Sequence, residues 1–147
     1  MPVVRRTSQP IISGETVSKL IEGAEGQIRV LYALLAGSGL RAGEAFGLEL
    51  KHLSDDCSTL FIRQSVWNGS VQSPKTENAI RDVDVSMDIA AMLKKLVENN
   101  EKRSGFLFHT RLGTPLHQSN ILRRYLHPRL AELGIPKLGF HTFRRFV

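Results

Sequence analysis

Apolar residues recur along this chain at two spacings, one suited to helices and one to strands. Val17, Leu20 and Ile21 fall on one helical face, which predicts a first helix over 14–25 with Ser13 as its N-cap. The run from Ile28 to Ala36 is apolar on most sides, so a second helix over about 27–36 is expected in the middle of the core. Gly37 and Gly39 read as its stop, because glycine accepts the left-handed conformation that helix ends favour. Ala42, Glu44, Ala45 and Leu48 then predict a short third helix that starts at Arg41 and ends near Leu50.

The rhythm changes after Leu50. Ser54 to Ser58 has the composition of a turn, and Thr59 to Arg63 that of a strand. Asn68-Gly69 marks a tight turn, 71–73 a short second strand, and Pro74 to Asn78 a polar turn with Lys75 near its tip. From Arg81 on, Asp82 and Asp84 alternate with Val83 and Val85. The expectation is a small antiparallel sheet of about three strands. Ser86 then caps a helix over about 87–103, striped by Ile89, Leu93, Leu96 and Val97, with Lys94, Lys95, Lys102 and Arg103 on its solvated face. Phe106 to Phe108 reads as a short buried segment. A further helix over 116–133 turns Leu122, Leu126, Leu130 and Leu133 inward, and a last one begins at Phe140. The fold class is therefore mainly α with a small antiparallel β-sheet, α+β, with an arm or linker over 1–12 and one domain over 13–147.

Composition narrows the function. Hydrophobic residues make up 41% of 147, enough for one globular core. Lys plus Arg total 20 against 14 acidic residues, a net +6, which favours a polyanionic partner, nucleic acid before membrane. Arg5 and Arg6 in the arm, and Arg123 and Arg124 on the penultimate helix, are further candidates for phosphate contact, with a solvated face as the plainer reading. One cysteine, Cys57, excludes an internal disulfide and a Cys-rich zinc site, and suits a reducing, cytoplasmic setting. It reads as filler beside a turn. No apolar run approaches the roughly 20 residues of a membrane span.

Candidate chemistry lies at three places. Arg41 stands at a glycine-bounded helix corner, with Glu44 at i+3 on the same face. This is either a surface ion pair or a rigid guanidinium fork for phosphate or carboxylate. Lys75 sits where a side chain can reach away from the domain, or simply keep a turn soluble. His141 and Arg144 share a helical face, with Phe140 and Phe143 beside them as packing anchors.

Their order resembles that of the tyrosine recombinase (phage integrase) family. Gly39-Leu-Arg-Ala-Gly-Glu44, Pro74-Lys-Thr-Glu-Asn-Ala-Ile-Arg81 and His141-Thr-Phe-Arg144 match the family's Arg corner, hairpin Lys and His-x-x-Arg helix in sequence, over nearly the whole chain. The resemblance implies that family's catalytic fold and phosphoryl transfer on double-stranded DNA without metal or cofactor, through a 3′-phosphotyrosine link. Arg41 and Arg144 would clamp the non-bridging oxygens, Lys75 would protonate the leaving 5′ oxygen, and His141 would handle the proton at the nucleophile. Glu44 would support Arg41 and the His–Arg helix. Thr76 and Arg145 would join the DNA contacts; Arg145 departs from the His that many members carry there.

No tyrosine matches the family's nucleophile. Tyr32 reads as core and Tyr125 as a packed helix residue with its hydroxyl at the surface. The chain is accordingly read as part of a catalytic domain, unable to cleave DNA covalently alone, and without the family's N-terminal clamping domain. Phe140, Phe143 and Phe146 are expected to be exposed and to invite self-association. A non-catalytic DNA-binding regulator, or a decayed integrase with the same fold, is the alternative; a type IB topoisomerase fits the short hairpin less well.

Overall fold

The computed structural model describes residues 13–74, 79–99, 105–141 and 143. The arm with Arg5 and Arg6, the Lys102–Arg103 tail and Phe146 lie outside the described residues.

Helix α1, Gly14–Glu22, starts where Ser13 Oγ accepts the Thr16 N–H at 3.1 Å. It stops short of the expected boundary at 25 because the Arg29 guanidinium takes over its open carbonyls, donating to Ile21, Glu22 and Ala24. Helix α2, Gly26–Ser38, is the centre of the core: Leu31, Leu34 and Leu35 are fully buried. Gly39, at φ 75°, ends it in the left-handed conformation. Gly37 does not stop the helix. It lies inside it, where a Cβ would run into the Ile89 side chain.

Helix α3, Ala42–Phe46, is shorter than predicted. It ends at Gly47, and the chain then runs extended against 105–107, with Leu50 N–H on the Gly105 carbonyl at 2.7 Å and Leu107 N–H on the Leu48 carbonyl at 2.9 Å. These cross-chain bonds replace the helical ones before a 3-10 turn, Leu50–His52.

The expected three-stranded sheet is two separate antiparallel ladders. Strand β1, Thr59–Ile62, pairs with β4, Arg81–Asp84, and β2, Ser65–Trp67, pairs with β3, Ser70–Gln72. Arg63 and Gln64 divide them. Arg63 donates back to the Ile62 and Arg81 carbonyls, closing the β1–β4 ladder. Gln64 Nε2 donates to the Gly47 carbonyl at 2.7 Å and to Glu49 Oε2 at 2.8 Å, turning the chain onto α3. The β2–β3 turn is the predicted Asn68-Gly69, with φ 50° and 84°, the left-handed pair a two-residue hairpin requires.

Ser86 caps α4, Met87–Glu98, through the Ile89 N–H. Ile89 and Leu93 face the core as expected, with Leu96 and Val97 half-buried beside them. Helix α5, Gln118–Ile121, continues through a π turn, Leu122–Leu126, into α6, His127–Glu132. Pro128 accounts for the wide turn. It offers no N–H, its ring needs room against the preceding carbonyl, and His127 N–H reaches back to the Leu122 carbonyl instead. Among the described residues, no helix is long and apolar enough to cross a membrane.

Glycine sets how closely β2 lies on α3. An ideal Cβ on Gly47 would be 3.0 Å from Ser65 Cα and 3.1 Å from the Gln64 carbonyl oxygen, and one on Gly43 would be 3.1 Å from the Val66 carbonyl oxygen. These neighbours are backbone and cannot swing aside. Gly47→Ala is expected to lower the unfolding free energy by about 1–3 kcal/mol, read as a lower urea midpoint; an unchanged midpoint would refute the close approach.

Candidate functional site

Arg41 is the N-cap of α3, extended at φ −73° and ψ 150°. Its backbone N–H donates to Glu44 Oε1 at 3.0 Å, the half of a capping box that holds the corner shut. The Glu44 carboxylate is buried, 7% exposed, and its main partner is not Arg41. Arg81 on β4 meets it fork to fork, Nη1 to Oε2 at 2.8 Å and Nη2 to Oε1 at 3.0 Å, and also donates to the Ala79 carbonyl. Burial pushes the Glu44 carboxyl up. The Arg81 side chain, the Arg41 N–H and the two arginine charges outweigh it and hold the carboxyl below its ordinary value. Hydrogen bonding to Glu44 raises Arg81 in turn.

The surface Arg41–Glu44 pair that the spacing allowed is thus replaced by an Arg81–Glu44 pair. The Arg41 side chain is exposed and makes no ion pair among the described residues.

Phe140 and Phe143 anchor the segment around His141. Phe143 is fully buried and stacks on Tyr32 of α2, with centroids 5.2 Å apart; Phe140 meets Phe46 of α3 edge-on at 5.7 Å. This bears out their reading as anchors and corrects the expectation that they lie exposed, since α2 and α3 already supply their ring partners. His141 folds back over Gly139, where a Cβ would lie 2.9 Å from its Nδ1. Tyr32 is core, as predicted; its hydroxyl has no partner among the described residues, and burial raises its pKa well above the ordinary value. Tyr125 is half-exposed. Cys57 is buried beside its turn, and burial pushes its thiol up.

Arg41 and His141, distant in sequence, line one cleft of about 1280 Å³. Its floor and far wall come from Gly43 and Glu44 on α3, Ser65 to Asn68 on the β2–β3 hairpin, and Gln118, Ser119 and Leu122 on the α5 rod. Pro74 and Ala79, the described residues on either side of 75–78, open onto the same cleft. Lys75, Thr76, Arg144 and Arg145 lie outside the described residues. Arg123 and Arg124 are exposed, and Arg123 donates to Asn120 Oδ1 at 3.0 Å. Because Arg81 neutralises Glu44, the sole carboxylate lining the cleft among the described residues, Arg41 is left as a net positive charge there. No group of three or more described His, Cys, Asp or Glu residues could hold a metal ion.

Three contributors escaped the sequence reading. Arg81 was read as the end of the Pro74–Arg81 motif and as the start of a strand, but not as the partner of Glu44. Gln118, whose Nε2 donates to the Val66 carbonyl at 2.6 Å, carried no local signal. Trp67 sits beside the Asn68-Gly69 turn, and its 60% exposure is a tertiary fact.

Because the folded-state pKa of Glu44 lies below its unfolded value near 4.5, the stability it contributes is present above that value. It is lost as pH falls through the folded value. Glu44→Gln is expected to cost about 2 kcal/mol at neutral pH and to flatten the fall in stability below pH 4.5. Urea unfolding at several pH values reads both, and a variant as acid-sensitive as the parent would exclude the assignment.

The sequence profile of the phage integrase family matches residues 11–147. A tyrosine recombinase XerC-like protein of Caldanaerobacter subterraneus subsp. tengcongensis is 28% identical over 159 aligned residues, covering 90% of this chain and 40% of the relative. The Tn1549 transposon integrase, in complex with a circular intermediate DNA, superposes with a TM-score of 0.76 at 17% identity, over 95% of this chain and 52% of that one. The XerA recombinase gives 0.74 at 21% identity, over 99% and 51%. The chain thus spans 40% of that curated relative and about half of each solved chain, with the same fold. With the Arg41 corner and the His141 segment meeting in one cleft and the profile covering nearly every residue, this chain belongs to the phage integrase family of tyrosine recombinases.

Proposed function

We propose that this chain is the phosphate-clamping part of a tyrosine recombinase catalytic domain, acting on double-stranded DNA in the cytoplasm. One observation carries the reading: Arg41 and His141 share a cleft in which the neighbouring carboxylate is already neutralised by Arg81. A guanidinium fork with no acidic partner of its own is suited to the non-bridging oxygens of a phosphodiester. It favours the extra negative charge of a pentacoordinate transition state over the ground state. In the full reaction a tyrosine oxygen bonds to phosphorus, the 5′ oxygen leaves, and the proton lost by the tyrosine is balanced by one delivered to the leaving oxygen. Arg144 is the second clamp, Lys75 the donor to the leaving oxygen, and His141 the group at the nucleophile's proton. Thr76 and Arg145 add backbone contacts.

Neither tyrosine of these 147 residues serves as the nucleophile. Tyr32 is buried in α2, and Tyr125 lines a different cleft, with His109, Arg111 and Arg124.

Binding of a labelled duplex at several salt concentrations tests the clamp. Phosphate-driven binding gives a slope of log K on log[salt] of about −0.9 per neutralised phosphate, and Arg41→Ala is expected to remove about one such unit. A salt-independent affinity, or an Arg41→Ala variant identical to the parent, would count against the reading. Incubation of the 147-residue chain with a nicked suicide substrate is expected to yield no denaturant-resistant protein–DNA adduct. An adduct mapped to either tyrosine would overturn the assignment of both.

A further inference from the structure

We propose that Trp67 is a stacking platform for an unpaired nucleobase of the DNA strand held in the Arg41–His141 cleft. The inference rests on the DNA-binding reading and adds a contact to bases, where Arg41 can contact only backbone.

Trp67 is the one tryptophan of the chain, 60% exposed, and it lines that cleft. The core does not need it. In the β2–β3 ladder the inward position is filled by Val66, only 1% exposed, while Trp67 pairs with exposed Ser70 on the other face. No ring or cation stacks on its indole among the described residues. Its backbone, however, is held firmly. Gln118 Nε2 clamps the carbonyl of Val66 at 2.6 Å, Gly43 and Gly47 bring the strand onto α3, and the two-residue turn follows at once. A large aromatic face is thus presented to solvent on a fixed strand, and little ordering entropy remains to be lost on binding.

Charge selects the occupant. The cleft carries the unneutralised Arg41 guanidinium, and its described carboxylate is already paired with Arg81, so a polyanion is attracted. Arg41 takes phosphate and leaves an adjacent nucleotide beside the hairpin. Every base has a π-face, so an indole there binds bases with little sequence preference. Gln118 is a positioning residue in this arrangement, acting through the Val66 carbonyl.

The sole tryptophan makes the test direct. Emission of the 147-residue chain would be titrated with a short single-stranded oligonucleotide, with an abasic tetrahydrofuran strand of equal length and charge, and with the annealed duplex. Anisotropy of an end label on each strand reports binding independently of the indole. The base-bearing strand is expected to quench Trp67 and to bind about tenfold tighter than the abasic strand. The duplex, whose bases are already stacked, is expected to quench less. Trp67→Ala should erase the preference for the base-bearing strand and leave abasic affinity unchanged, Trp67→Phe should keep part of the preference, and circular dichroism should show both variants folded. Arg41→Ala should weaken both strands alike.

Equal affinity and equal emission for base-bearing and abasic strands would overturn the proposal while leaving the phosphate clamp standing. So would a Trp67→Ala variant that loses both strands equally, which marks a structural role. An emission shift that tracks protein concentration without DNA would assign the indole to a contact between copies of the chain and also overturn it. Failure of the parent chain to bind any strand would instead remove the DNA reading on which it rests.

Discussion

One buried carboxylate holds the site together. Glu44 fastens the backbone at Arg41 and meets the Arg81 fork from a strand 37 residues away. Two elements are thereby tied at one point: the start of α3 and the start of β4. In such a pair the desolvation of two charges and their attraction nearly offset one another, so the net stability gained is small. What the pair contributes is geometry. The stability comes from elsewhere, from α2 buried on nearly every side and from the rings that close over it.

The cleft walls follow from close approach. Gly43 and Gly47 let β2 lie against α3 with backbone in contact, which a methyl group would prevent. Gln64 and Gln118 then fasten the hairpin from two sides, one through the Gly47 carbonyl and the other through that of Val66. Opposite, the Tyr32–Phe143 stack and the Phe46–Phe140 contact bring the His141 segment to α3. Neutral contacts thus set the walls of the cleft, while the Glu44–Arg81 pair fixes the backbone at Arg41.

The helices were largely legible because α1 and α4 each bury one face and α2 is apolar nearly all round, and either pattern survives in the sequence whatever it packs on. Ser13 and Ser86 cap as expected, since capping is a local bond. The strands were legible one at a time but not in their pairing. The break at Arg63 and Gln64 depends on hydrogen bonds to carbonyls and a carboxylate that only the folded chain brings near. Spacing placed Glu44 beside Arg41 correctly; of the two readings it left open, the Arg41–Glu44 ion pair fails, because an i+3 rule sees one helix and Arg81 comes from a strand. The exposure expected of Phe140 and Phe143 failed for a related reason. It assumed that their partners lay beyond the chain, whereas Tyr32 and Phe46 are within it. Lys75 and Arg144 were named as members of ordered motifs, and both lie outside the described residues.

On the proposed reading, an acidic residue beside a phosphate clamp calls for a physical reason. At about 4 Å two unit charges interact by about 4 kcal/mol at an effective dielectric constant of 20. An unpaired Glu44 would therefore cancel much of what Arg41 offers to an anion. Removing the carboxylate would free Arg41's charge but also release the backbone that aims it. Arg81 resolves the conflict. It takes up the charge of Glu44 through both carboxylate oxygens and leaves the carboxylate its bond to the Arg41 N–H. Aim and charge are thereby supplied by different residues. On the proposed reading, Arg81, far along the chain and on a different element, is needed before Arg41 can act on phosphate.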